Sequence, residues 1–113
     1  MKLPSEAWRL RIYVGENDRF EGRPLSEVVV EEARRKELAG ATVVKGAIGF
    51  GAHSRVEPVI QLRISKDAPV IIEIVDQPDR IEAFLPMLDT LIGEGLVTLE
   101  DVRVITYRHR MPG

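Results

Sequence analysis

Few side chains in this sequence belong to the types that carry out catalysis or bind metals. His53 and His109 are its two histidines, and it contains no cysteine, so the ligand clusters that hold transition metals are missing. The serines lie outside any Gly-x-Ser-x-Gly elbow, and neither a Walker phosphate loop nor a Gly-x-Gly-x-x-Gly fingerprint occurs. The sequence therefore predicts no catalytic residue and no metal site, and it favours a protein that is not an enzyme.

A glycine-rich segment in the middle of the chain is the first candidate for ligand binding. Gly49-Phe50-Gly51 is followed closely by Arg55. Glycine lets a ligand approach the backbone and leaves N–H groups available to an anion. Phe50 offers an apolar wall, and Arg55 can form charge-assisted hydrogen bonds. A simple connection between strands explains the same glycines equally well, so the pattern alone leaves both interpretations open.

A second candidate is Gly93-Glu94-Gly95, which follows an apolar segment with helical spacing. Here a helix C-terminus followed by a tight turn is the simpler explanation by about two to one. The basic end that contains Arg108 is a weaker candidate, because chain termini are commonly solvated and frayed.

Length and composition limit the classes of protein to consider. The chain has 113 residues, 44% of them hydrophobic and 30% charged, which is typical of one globular domain. The net charge of −2 gives no reason to expect nucleic acid as a partner. No apolar run approaches the roughly 20 residues that cross a bilayer, and the first residues lack the apolar core of a signal peptide. We expect a cytoplasmic protein that does not insert into a membrane.

The hydrophobic pattern predicts strands separated by two helices. The first helix is expected to start at Pro24 and to end at Gly40, and the second to be capped by Asp76, with a kink or break at Pro86. Alternating or β-branched runs predict strands at residues 9–14, 42–48, 59–64, 70–75 and 102–107. These five runs are one more than the order that we assign, which is βαββαβ, an α+β ferredoxin-like sandwich in which a four-stranded antiparallel sheet carries two helices on one face.

This arrangement predicts self-association. Residues 70–75 are apolar except for Glu73, as in a central strand that is buried on both faces. Two helices can cover only one face of the sheet. An open apolar face of that size is an association surface, so we expect a homo-oligomer.

Several motifs in the same order resemble those of a known family. The chain resembles the nitrogen-regulatory PII proteins and, more fully, the PII-like domain-of-unknown-function family one hundred and ninety. The resemblance covers roughly residues 8–108 as a single domain. Its motifs here are Gly22-Arg23-Pro24-Leu25, Gly40-Ala41-Thr42-Val43, Ile48-Gly49-Phe50-Gly51, Ala83-Phe84-Leu85-Pro86 and Gly93-Glu94-Gly95-Leu96-Val97-Thr98.

The resemblance implies a homotrimer with adenine nucleotides bound in clefts between subunits. Gly49-Phe50-Gly51 would lie near the base, and Gly93 and Gly95 near the phosphates with Arg55 or Arg108 as the cation. The loop of residues 52–58 would be mobile and would transmit the state of the cleft to a partner. Relatives linked with fluoride-channel-like membrane proteins imply a transporter or channel as that partner.

Two departures from the PII pattern change the expected ligand. Leu96 occupies the position at which PII proteins carry a lysine that meets phosphate. We therefore expect AMP, ADP or a cyclic nucleotide to bind better than ATP. The loop also lacks the modifiable tyrosine and offers only Ser54 as a hydroxyl.

Three alternatives belong to other classes of protein. One is a structural or scaffold trimer without a physiological ligand, whose loop only docks on a partner. Another is a metal-tolerance protein of the CutA type, which would need a His, Cys or Met cluster that this sequence lacks. A small enzyme is the last, and no acid–base pair supports it.

Overall fold

A computed structural model of the protein describes residues 6–46 and 68–108. The predicted strand at residues 59–64, the end of the one at 42–48 and the loop at 52–58 lie outside these ranges. The strands are β1 Glu6–Gly15, β2 Arg19–Phe20, β3 Arg23–Pro24, β4 Thr42–Lys45, β5 Pro69–Asp76 and β6 Leu96–Arg103, and the helices are α1 Leu25–Arg35 and α2 Pro78–Leu91.

The main sheet is antiparallel and has four strands in the order β4-β5-β1-β6. Strand β1 pairs with β5 on one side and with β6 on the other, so the first strand in sequence becomes a central one. Both helices pack on one face of this sheet and contact each other. The predicted ferredoxin-like α+β fold is confirmed.

The core lies between the helices and one face of the sheet. Alternation along β1 buries Leu10 and Ile12 completely, as expected for a strand with one core-facing side. Phe84 on α2 is the largest fully buried side chain. The other buried members of this core are Val14, Leu25, Val28, Val29, Ala33, Val70, Ile72, Ile74, Ile81, Leu88 and Leu91.

A short hairpin connects β1 to α1. Strands β2 and β3 pair through a turn at Glu21 and Gly22, whose φ angles are 50° and 82°. Positive φ at both central residues is the geometry of tight two-residue hairpin turns. The connection between β1 and α1 is therefore an ordered hairpin.

The last strand differs from its prediction. The sequence placed it at residues 102–107, but β6 starts directly after Gly95, with Leu96 opposite Tyr13 and Arg103 opposite Glu6. As an edge strand, β6 leaves apolar residues exposed on both of its faces. The one-sided alternation that marks a half-buried strand is therefore absent.

The end of α1 also differs from its prediction. The helix ends at Arg35, before Gly40, and Glu37 takes the left-handed conformation with φ 60°. The amides of Glu37 and Leu38 donate to carbonyl oxygens of the last helical turn at 3.0 Å each. This is the Schellman arrangement, in which glycine is the usual left-handed residue. Because a glutamate takes the place of the usual glycine, the sequence does not indicate where the helix ends.

The start of α2 lies one residue later than predicted. Gln77 is the N-cap residue, and Asp76 is fully buried at the end of β5. The Asp76 carboxylate accepts the amides of Ala39 at 2.8 Å and Gln77 at 2.7 Å, and Arg80 lies 3.6 Å away. It therefore connects the end of α1 to the start of α2. Of the kink or break predicted at Pro86, the break is absent, since α2 continues through that residue.

Replacing Glu37 with glycine should stabilise the protein. The left-handed conformation costs an L-residue about 1–2 kcal/mol, whereas glycine adds about 0.5–1 kcal/mol of unfolded-state entropy. The Glu37→Gly variant should therefore gain roughly 0.5–1 kcal/mol in urea denaturation. Gly40→Ala is the matched control and should not destabilise the protein, because nothing lies within 4 Å of a Cβ added there. A destabilised Gly40→Ala variant would restore Gly40 as the helix stop.

Candidate ligand-binding site

The turn between α2 and β6, residues 93–95, is called the glycine turn below. Within it, Gly95 has a φ of +153°, and a Cβ added there would lie 2.7 Å from the backbone oxygen of Tyr13. Any side chain at this position would clash with β1. The fold itself therefore requires glycine at residue 95.

Gly93 has no such structural requirement. Within residues 6–46 and 68–108, nothing lies within 4 Å of a Cβ added to it, and its φ is outside the left-handed region. The space above this backbone is open, so another group can approach it closely. The two glycines that the sequence paired as ligand contacts thus differ: Gly95 is explained by packing, and Gly93 is not.

The loop after β1 is held in place beside the glycine turn. The Gly15 amide donates to the Asp18 carboxylate at 2.8 Å, and the Asp18 amide donates to the Gly15 carbonyl at 3.1 Å. The carbonyl of Asp18 accepts the first amide of α1, that of Leu25, at 2.9 Å. These bonds fix the loop against the start of α1.

A cavity of about 280 Å³ separates this loop from the glycine turn. Arg19 borders it and donates from Nη1 to the carbonyls of Glu16 and Asp18, each at 3.3 Å. Sequence reasoning missed Arg19, because only the fold brings it next to residues 93 and 94. The lining residues are Asn17, Asp18, Arg19, Leu25, Leu91, Gly93 and Glu94.

The structure does not bring Arg108 of the same chain to the glycine turn. Its neighbour Tyr107 donates its hydroxyl to the carbonyl of Ala39 at 3.2 Å, and Ala39 is hydrogen-bonded to Asp76. Asp76 lies opposite Trp8 on β1, whereas Gly95 lies against Tyr13. Five residues of strand separate these points, about 17 Å. Arg108 is exposed.

A larger cavity of about 560 Å³ lies at this other end of the sheet. It is bordered by the first residues of β1, the last residues of β6 and the start of α2. Its lining residues are Glu6, Ala7, Trp8, Pro78, Asp101, Val102 and Arg103. Of the residues selected from the sequence, none of those that the structure describes is among them.

The other predicted ligand contacts, Gly49, Phe50, Gly51 and Arg55, lie outside the described residues, as does Ser54. The first of the two described ranges ends at Gly46, whose amide donates to the carbonyl of Pro69 at 2.7 Å. Pro69 lies opposite Gly15. Gly46 is therefore at the same end of the sheet as the glycine turn.

The sheet face opposite the helices is not covered by any of the described residues, and it carries one apolar row. The strand registers align Val44, Ile71, Tyr13 and Leu96 across all four strands. Val44 is 51% exposed and Leu96 56% exposed. Residues directly opposite each other in antiparallel strands share a face. This apolar row therefore ends at Leu96, directly after the glycine turn.

Charged side chains on the same face form an ion-pair ladder of four residues. Arg11 lies 2.8 Å from Glu73 and 3.2 Å from Glu100, and Arg9 lies 2.9 Å from Glu100. The hydrogen bond that Arg11 donates to the Glu73 carboxylate raises the pKa of Arg11 above its usual value. The ladder has two positive and two negative members, so its formal charge is zero.

Two further searches of the described ranges gave no candidates. No three His, Cys, Asp or Glu side chains in residues 6–46 and 68–108 come together as a metal site. No helix in those same ranges is long and apolar enough to cross a membrane.

Comparison with known families then assigns the chain. The model of the DUF190 family, described as an uncharacterised ACR, matches residues 7–104. The chain belongs to the DUF190 family. A UPF0166 protein of Aquifex aeolicus is 36% identical over 85% of this chain and 90% of its own length. A UPF0166 protein of Methanocaldococcus jannaschii is 38% identical over 84% of this chain and 88% of its own length.

Solved structures of CPII from Thiomonas intermedia K12, a nitrogen-regulatory PII-like protein, share the fold. CPII bound to ADP and bicarbonate has a TM-score of 0.56 and 20% identity, with 88% of each chain covered. CPII bound to ADP, AMP and acetate has a TM-score of 0.57 and 21% identity, with 92% of each chain covered. The DUF190 chain therefore has a PII-like fold, as its motifs predicted.

Alanine substitutions should separate the roles of the two glycines in this DUF190 protein. Gly95→Ala places a Cβ against the Tyr13 carbonyl and should cost about 1–3 kcal/mol of stability. Gly93→Ala meets open space and should leave the melting temperature nearly unchanged. Thermal unfolding of both variants measures this difference. Equal destabilisation would mean that the glycine turn has another geometry.

Proposed function

We propose that this DUF190 protein is a regulatory protein, not an enzyme, that binds an adenine nucleotide at the glycine turn. The observation that carries the proposal is the open space above Gly93, at the edge of a cavity in a PII-like fold. Backbone amides in a glycine-containing turn are suited to bind an anion. Structures of CPII, which shares this fold, contain ADP and AMP.

The nucleotide would span from the glycine turn to the segment that follows Gly46. Its phosphates would meet the amides around Gly93 and Gly95, and its base would lie against Gly49-Phe50-Gly51. Arg55 would supply a positive charge from that segment. Arg108 would do so only from a second copy, because Tyr107 of the same chain is held near Asp76.

Assembly as a homotrimer would complete the cleft. The apolar row and the neutral ion-pair ladder occupy the one sheet face that the helices leave open. Copies of the chain can bury this face without leaving a net charge inside the interface. Because the apolar row ends beside the glycine turn, a second copy on this face would lie next to the nucleotide.

The regulatory output is proposed to pass through the loop of residues 52–58 to a partner protein in the cytoplasm. Ligand binding next to this loop would change the population of loop conformations that the partner recognises. The alternative is a scaffold trimer without a ligand. The exposed apolar row favours assembly equally in both cases, so ligand binding decides between them.

Calorimetry with AMP, ADP, cyclic AMP and ATP tests the nucleotide proposal. We expect AMP, ADP or cyclic AMP to bind more tightly than ATP, because Leu96 supplies no positive charge for a third phosphate. Gly93→Val should weaken binding at least tenfold by blocking close approach, and Gly93→Ala should have a smaller effect. Tight ATP binding that Gly93→Val does not change would show that the site lies elsewhere. No binding of any nucleotide would favour the scaffold.

Light scattering on a size-exclusion column tests the assembly. We expect a trimer of the 12.7 kDa chain at micromolar concentration. Leu96→Glu should shift the trimer towards monomer, because it places a charge in the apolar row. Arg34→Gln on the exposed side of α1 lowers the net charge by the same single unit and is the control for the charge change. A wild-type monomer would contradict the trimer, and a dimer would contradict the three-fold cleft.

A further inference from the structure

We infer that Arg19 is the side chain that binds the nucleotide's phosphate at the glycine turn. This inference rests on the proposed nucleotide site and names a residue that the sequence motifs leave out. Arg19 borders the cavity together with Gly93 and Glu94. A phosphate over the Gly93 amide would therefore share the cavity with this guanidinium.

The charges around the cavity favour a cation within the cavity itself. Asp18 and Glu94 both border it, and their carboxylates repel a phosphate at close range. Leu96, directly after the glycine turn, has no charge to offset them. Among the described residues that line the cavity, the one cationic side chain is that of Arg19.

The present contacts of Arg19 leave its guanidinium able to turn to a ligand. Its two hydrogen bonds, from Nη1 to main-chain carbonyls, are 3.3 Å long, beyond the usual range for N–H···O bonds. The guanidinium has five N–H donors, and its forked geometry matches a phosphate. The side chain is exposed on the β2–β3 hairpin.

The backbone of Arg19, in contrast, is held firmly. Arg19 pairs with Pro24 in the β2–β3 hairpin, and the preceding Asp18 is hydrogen-bonded to Gly15 and Leu25. Rotation about side-chain bonds would therefore bring the guanidinium over the cavity without movement of the loop. Because the backbone is already held, binding would need to order only the Arg19 side chain, which reduces the entropy cost of binding.

Calorimetry with ADP and adenosine on matched variants tests this role. Arg19→Ala should weaken ADP binding at least about tenfold, the usual effect of losing a charge-assisted hydrogen bond. Adenosine, which has no phosphate, should bind wild type and Arg19→Ala equally. Arg19→Lys should keep part of the ADP affinity. Arg34→Ala, which removes the same charge from the exposed side of α1, should bind ADP like wild type.

The outcomes separate this inference from the proposal on which it rests. If wild type and Arg19→Ala bind ADP equally, the assignment of Arg19 is wrong and the nucleotide site stands. If Arg19→Ala loses ADP and adenosine affinity to the same extent, Arg19 acts by holding the loop, and the assignment is wrong again. If the wild type binds neither ligand, the proposed function is wrong, and so is this inference, which rests on it. Melting temperatures of all variants check that each is folded.

Discussion

The pairing of β1 with a neighbour on each side determines the rest of the structure. Its backbone bonds to β5 and β6 set a register in which Leu10 and Ile12 face the helices, while Arg11 and Tyr13 face the other way. The same register brings the start of β6 beside Tyr13. Only glycine fits at residue 95, directly before β6, because a side chain there would clash with the backbone oxygen of Tyr13. The position of the glycine turn, and so of the proposed phosphate site, follows from β1.

The open face of the sheet combines two kinds of interaction with different consequences. Exposed ion pairs contribute only about 0–1 kcal/mol each, so the ion-pair ladder adds little to the stability of one chain. In an interface its value is specificity, because paired charges can be buried whereas an unpaired one cannot. The apolar row would supply the driving force, and the ladder would restrict how copies align. Assembly and ligand binding would then use neighbouring parts of one surface.

Sequence patterns predicted the elements that bury one side. The period of two residues predicted β1, and the period of three to four residues predicted the apolar faces of both helices. Both periods arise because one face of each element is buried and the other is exposed. The patterns failed where that contrast is missing. Strand β6 is an exposed edge with apolar residues on both faces. Helix α1 ends at Arg35 and is followed by a left-handed glutamate, Glu37, where glycine is usual.

The candidate site was predicted only in part, for a similar reason. Motif resemblance selected Gly93 and Gly95, and the structure shows that packing accounts for Gly95 but not for Gly93. Arg19 carries no local pattern, since its position beside the glycine turn depends on the long-range pairing of the sheet. Arg108 stays a prediction for a second copy, since within one chain it does not come near the glycine turn. Its neighbour Tyr107 is held at the other end of β1.

Amide NMR of the protein titrated with ADP tests the central claim most directly, because it reports on the backbone groups that would bind phosphate. The account predicts large shifts of the Gly93 and Gly95 amide signals with ADP, and much smaller shifts of the same signals with adenosine. A different result would contradict it: unchanged glycine-turn signals, with the shifts confined to the cavity between Trp8 and Arg103 at the other end of the sheet.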